Sequence, residues 1–140
     1  QVIALAVFLP IVSDMSGNCG SQAVAVSVRE LTLGIVKPRD LALVVWKEVQ
    51  VGVFLGIALG ALLGLVAVVW KGNVYLGLVI GAALAINTWL AACLGGAMPL
   101  MLKWMRLDPA LVSGPLLTTF TDMFGFLLVL GFATMCLSYL

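Results

Sequence analysis

The chain has 140 residues, 64% of them hydrophobic and 9% charged, with a formal net charge of +1 and a mean hydropathy of +1.24. A soluble domain of this size has no use for so much apolar surface, so the composition reads as an integral membrane protein. An apolar chain without a basic patch is not a nucleic-acid binder. With no histidine, and with Cys19, Cys93 and Cys136 outside any CxxC spacing, it offers no ligand set for zinc, copper or an iron–sulfur cluster.

Four spanning helices are predicted, over residues 2–30, 41–70, 74–104 and 109–139, together one transmembrane domain over 1–140. Each exceeds the ~20 residues needed to cross a bilayer. The fold class is therefore all-α: a membrane bundle of four transmembrane helices, the first kinked and the last interrupted by a proline. The run begins at Gln1 with no initiating Met, basic n-region or A-x-A site, so residues 1–9 do not read as a signal peptide. The chain is expected to be part of a longer protein, with an odd helix before Gln1 if the natural amino terminus is cytoplasmic.

The first helix carries a polar stripe. Asp14, Asn18, Ser21, Gln22 and Arg29 follow i, i+4, i+7, i+8, i+15 and share one face. Pro10 upstream and Gly17 and Gly20 around Asn18 predict a kink or an unwound turn near residues 16–20. Asn18 and Gln22 fit either a pore lining or interhelical hydrogen bonding. A charge is less natural as helix glue, which favours an ion-pathway role for Asp14.

The second helix repeats glycine every four residues, at Gly52, Gly56, Gly60 and Gly64, a ridge that lets another helix approach closely. Lys47 and Glu48 near its start are expected at the inner interface. The third helix repeats the device with Gly77, Gly81 and Ala85, and places Asn87 mid-span as an interhelical hydrogen-bonding residue. Asp40 and Asp108 read as N-caps of the second and fourth helices, with Pro109 at a first helical position.

The fourth helix holds the most telling residue. Asp122 lies inside an apolar segment, where an ionisable side chain costs at least about 2.5–3.5 kcal/mol, and so marks a functional site. Gly114, Thr118, Thr121, Asp122 and Gly125 fall on one small, oxygen-rich, singly acidic face. Leu116, Phe120, Met123 and Leu127 fall opposite. Pro115 deprives the Leu111 carbonyl of its helical partner. Oxygen ligands beside a carboxylate suit a hard cation, Mg²⁺ or Ca²⁺, with Mn²⁺ a further divalent choice. The motif [ST]-D-M-x-G occurs at residues 13–17 and again at 121–125, on helices predicted to run in opposite directions.

Arg29, Lys37, Arg39, Lys47, Lys103 and Arg106 gather at one membrane face and Lys71 alone at the other. The positive-inside rule puts links 31–40 and 105–108 in the cytoplasm and both chain ends outside. Trp46 and Trp104 then fall in the inner aromatic belt, and Trp70, Tyr75 and Tyr139 in the outer one.

These residues resemble the MgtE family of magnesium channels. Pro10, Asp14-Met15, Gly17-Asn18-Cys19-Gly20-Ser21-Gln22 and Arg29 are similar to its second membrane helix. Lys47-Glu48 and the glycine ridge are similar to its third, and Asp108-Pro109-Ala110, Pro115, Thr118-Thr119, Thr121-Asp122 and Gly125 to its fifth. The resemblance implies a membrane domain lacking the first helix and the cytosolic N and CBS domains, in a bacterial inner membrane. It implies a homodimer in a lipid bilayer, with an axial pore lined by the second and fifth helices, and no enzyme activity. Asp122 would then hold a hydrated Mg²⁺, aided by backbone carbonyls near Thr118, with lesser parts for Thr121 and Asp14. Gly114 stands where some members carry an asparagine at the cytoplasmic end of the pore. Three other readings compete. They are a proton-coupled divalent-cation carrier using Asp14 and Asp122, an intramembrane aspartyl protease, for which the GxGD motif is missing, and a purely structural bundle.

Overall fold

The computed structural model describes residues 2–136. It contains four helices: α1 (Val2–Thr32), α2 (Leu41–Lys71), α3 (Val74–Trp104) and α4 (Pro109–Met135), with a single 3-10 turn, Pro38–Asp40, before α2. All four are long and apolar enough to cross a membrane. The end of the last helix expected near residue 139, and the outer-belt Tyr139, lie outside the described residues.

The helices succeed one another in antiparallel order through short links, as stop signals in the sequence require. Gly72 ends α2 with φ 69°, a left-handed conformation that glycine adopts at no steric cost, and its N–H reaches the Val68 carbonyl. The next residue, Asn73, starts α3: its side chain accepts from the N–H groups of Tyr75 (2.8 Å) and Leu76 (3.3 Å). Asp108 caps α4 by accepting from Ala110 N–H at 2.9 Å. Asp40 stands at the N-cap position of α2 but makes no such bond; its carboxylate turns back to the Lys37 N–H, closing the 3-10 turn instead.

Two expectations about helix continuity need correction. The backbone of α1 is helical through residues 16–20, so the unwound turn expected there does not form. Gly17 and Gly20 make close contacts with neighbouring helices, and the Ser16 hydroxyl donates to the Val12 and Ser13 carbonyls of its own helix. Likewise α4 runs through Pro115 without interruption. The Thr118 and Thr119 hydroxyls donate to the Pro115 carbonyl, one turn back on their own helix.

Helix α3 is the hub, packing against α1, α2 and α4, while α1 also packs on α4. The glycine ridge explains the α2–α3 seam. A Cβ placed at Gly56 would stand 2.5 Å from the Ala85 carbonyl oxygen, at Gly60 2.5 Å from that of Gly81, and at Gly64 2.8 Å from that of Gly77. Gly52 meets Trp89 and Ala92. Helix α2 reaches α1 at its ends, where Lys47 pairs with Glu30 at 3.2 Å and Trp70 meets Phe8 edge-on at 5.6 Å. Glu48 is buried against the protein, its stem on Gly96.

Candidate metal-ion groove between α1 and α4

The two copies of the [ST]-D-M-x-G motif meet face to face. Gly17 leaves room for the Thr121 hydroxyl, 3.5 Å from where a Cβ would stand, and Gly125 leaves room for the Ser13 hydroxyl at 3.4 Å. The first residue of each motif thus packs on the last of the other. Antiparallel helices bring small residues together this way because neither backbone is held off by a side chain.

Along this contact lies a groove of about 340 Å³, lined on α1 by Pro10, Ser13, Asp14, Gly17, Asn18 and Ser21 and on α4 by Thr118, Thr121, Asp122 and Phe126. Its only ionisable lining groups are the carboxylates Asp14 and Asp122. Both are exposed to it. Asp122 Oδ1 accepts a hydrogen bond from Ser13 Oγ at 2.5 Å, while Asp14 Oδ2 accepts from Asn18 Nδ2 at 3.4 Å. The ion pairs found among the described residues, Arg39–Asp40 and Lys47–Glu30, involve neither acid.

Thr118 lines the groove, and its carbonyl accepts from the Thr121 hydroxyl at 3.1 Å. Thr121 itself is buried, and its carbonyl accepts from Asn87 Nδ2 at 3.0 Å. Two residues expected on the pore side, Gln22 and Gly114, do not line the groove. Gln22 is exposed and Gly114 faces open space. A third, Gly125, requires correction. It is buried, and a Cβ there would stand 2.9 Å from Asn87 Nδ2. It packs inward because its i+4 relation to Thr121 puts it on the face turned to α3, one step around the helix from Asp122.

Sequence reasoning did not single out Ser13 and Ser16. A serine in an apolar helix commonly bonds its own preceding turn, and nothing local says which one crosses to a neighbour. The faint signal was the echoed motif, which contains Ser13.

Chemically, the groove presents oxygen donors, two negative charges and an open side. Among the described residues no cluster of three or more His, Cys, Asp or Glu side chains could hold a metal ion. Such a site suits a hard cation that keeps most of its water and touches one or two carboxylates.

Comparison with known proteins agrees. The family model MgtE, described as a divalent cation transporter, matches residues 9–132. The chain is 35% identical over 134 residues to the magnesium transporter MgtE of Bacillus subtilis and 36% over 136 residues to that of Thermus thermophilus. It is 33% identical over 135 residues to that of Enterococcus faecalis. These alignments cover 96–97% of this chain and 30% of each relative. The chain therefore spans about 30% of the length of these relatives. A match over nearly the whole membrane bundle, including both halves of the acidic groove, means that this chain belongs to the MgtE family of divalent cation transporters.

Proposed function

We propose that this bundle forms part of a Mg²⁺ pathway, in which the α1–α4 groove passes hydrated Mg²⁺ and Asp122 recognises it. The observation that carries this reading is a carboxylate on a membrane-length helix, exposed in a polar groove, held by Ser13 and facing no basic side chain among the groove's lining residues. A purely structural bundle gives such a charge no work. Relatives described as magnesium transporters support the choice of ion. Mg²⁺ dehydrates reluctantly, so one or two carboxylates suffice to hold it, and weak holding lets it leave again.

The groove is open on one side, and a second copy of the chain about a twofold axis would close it. That would set two Asp122 side chains, −2 in total, against a +2 ion. Links 31–40 and 105–108 then lie on the cytoplasmic side, where six of the seven Lys and Arg residues gather. Asp122→Ala should abolish Mg²⁺ uptake into liposomes reconstituted with the full-length protein while the variant still purifies as a folded dimer. Undiminished uptake would overturn the assignment.

The proton-coupled reading is favoured by one fact, that Asp14 and Asp122 share the groove. Mg²⁺ uptake at equal rates with and without an imposed pH gradient would dismiss it.

A further inference from the structure

We propose that Asn87 is the positioning residue for the Asp122 carboxylate, closing a ring of hydrogen bonds through three helices; this rests on the reading of Asp122 as the ion-recognising acid. Asn87 lies on α3, fully buried, behind the groove rather than in it. A primary amide has two hydrogens, and both are engaged. One goes to Ser16 Oγ on α1 at 2.6 Å, the other to the Thr121 carbonyl on α4 at 3.0 Å. The single Ser16 hydroxyl proton is shared between the Val12 carbonyl at 2.8 Å and the Ser13 carbonyl at 3.0 Å, both in the turn that carries Ser13, and the Ser13 hydroxyl donates to Asp122 Oδ1 at 2.5 Å. The peptide bond from Asp122 back to Thr121 completes the circuit.

The two arms of Asn87 thus end on the two things that fix the carboxylate. One is the peptide unit that precedes it. The other is the turn carrying its side-chain donor. Gly125 keeps the ring tight, since a Cβ there would stand 2.9 Å from Nδ2.

Packing alone gives no reason for an amide at this position. Asn87 Oδ1 is buried without a hydrogen-bond partner among the described residues, a costly arrangement that an apolar side chain would avoid. The cost is borne at the one place where α1 and α4 must keep register for Ser13 to meet Asp122.

The test uses full-length protein in liposomes containing a Mg²⁺-sensitive dye, with folded protein quantified for each variant. Asn87→Leu keeps the branched shape, adds bulk and removes both donors; Ser16→Ala breaks one arm with a smaller change and covers the case in which Asn87→Leu fails to fold. Each should raise the half-saturating Mg²⁺ concentration, Asn87→Leu by roughly tenfold, with maximal flux per folded protein nearly unchanged. Ser13→Ala should do the same, and combining it with Asn87→Leu or Ser16→Ala should add nothing further, because both changes act through one contact. An unchanged half-saturation in Asn87→Leu and Ser16→Ala, effects that add to those of Ser13→Ala, or a loss of maximal flux alone would overturn the proposal. Asp122→Ala separates the two readings. If that variant still conducts, the assignment of Asp122 fails. If it is silent while Asn87→Leu saturates normally, only the ring fails.

Discussion

Ser13 and Thr121 occupy equivalent places in the two echoed motifs, yet their hydroxyls behave differently. Ser13 donates across the helix pair to Asp122, whereas Thr121 donates back to the Thr118 carbonyl of its own helix. The two acids are therefore not equivalent: among the described residues, Asp122 is tied to the opposite helix and Asp14 to Asn18 on its own. Asp122 was legible in the sequence because a charge in an apolar helix is costly whatever surrounds it. The direction of a hydroxyl was not, because a serine or threonine rotamer depends on what the neighbouring helix presents. Glycines divide in a similar way. Gly56→Ala would force a Cβ to 2.5 Å from the Ala85 carbonyl, whereas the same change at Gly131 meets nothing within 4 Å. Thermal unfolding in detergent should show the first losing about 1–3 kcal/mol from overpacking and the second gaining up to about 1 kcal/mol from helix propensity.

At the level of helices, boundaries were legible where the stop signal is stereochemical. Asp108 followed by Pro109 marks a cap and a first helical residue, and both stand there at the start of α4, while α3 spans the expected residues 74–104. Internal breaks were misread because glycine and proline have two uses in a membrane helix, bending and close approach, and only the tertiary partner decides between them. Here Gly20 faces the Ala91 carbonyl and the Leu117 side chain, so its missing Cβ serves contact. The α3–α4 link holds a left-handed residue that sequence did not announce. Arg106 has φ 62°, its N–H bonds to the Lys103 carbonyl, and Leu107 N–H reaches that of Leu102. These are the two bonds of a Schellman motif, with arginine where glycine is usual. Arg106→Gly should raise stability by about 1 kcal/mol in the same unfolding assay, because it removes the crowding of a left-handed Cβ. Destabilisation would mean that the guanidinium makes a compensating contact.

On the scale of the whole bundle, the antiparallel order of four helices puts the α1–α2 and α3–α4 links at one end and the α2–α3 link at the other. With the native cysteines removed, single cysteines introduced by Arg39→Cys and Arg106→Cys should react with a membrane-impermeant maleimide from the same side of sealed vesicles. One introduced by Lys71→Cys should react from the opposite side. Labelling of all three from one side would contradict four spans. This arrangement was readable from hydropathy and charge alone. The central place of α3 was foreshadowed by its small residues but not fixed by them, since α2 carries an equally regular ridge and yet lies to one side.

The joint between α2 and α3 has one more consequence. At Gly56, Gly60 and Gly64 it is built from main-chain atoms meeting main-chain atoms, so along that ridge it freezes few rotamers on assembly and asks little of the outward side chains Phe54, Ile57 and Leu65, which stay exposed. Those positions are free to exchange one greasy residue for another as the surrounding lipid changes in thickness or fluidity, while the joint beneath them keeps its shape.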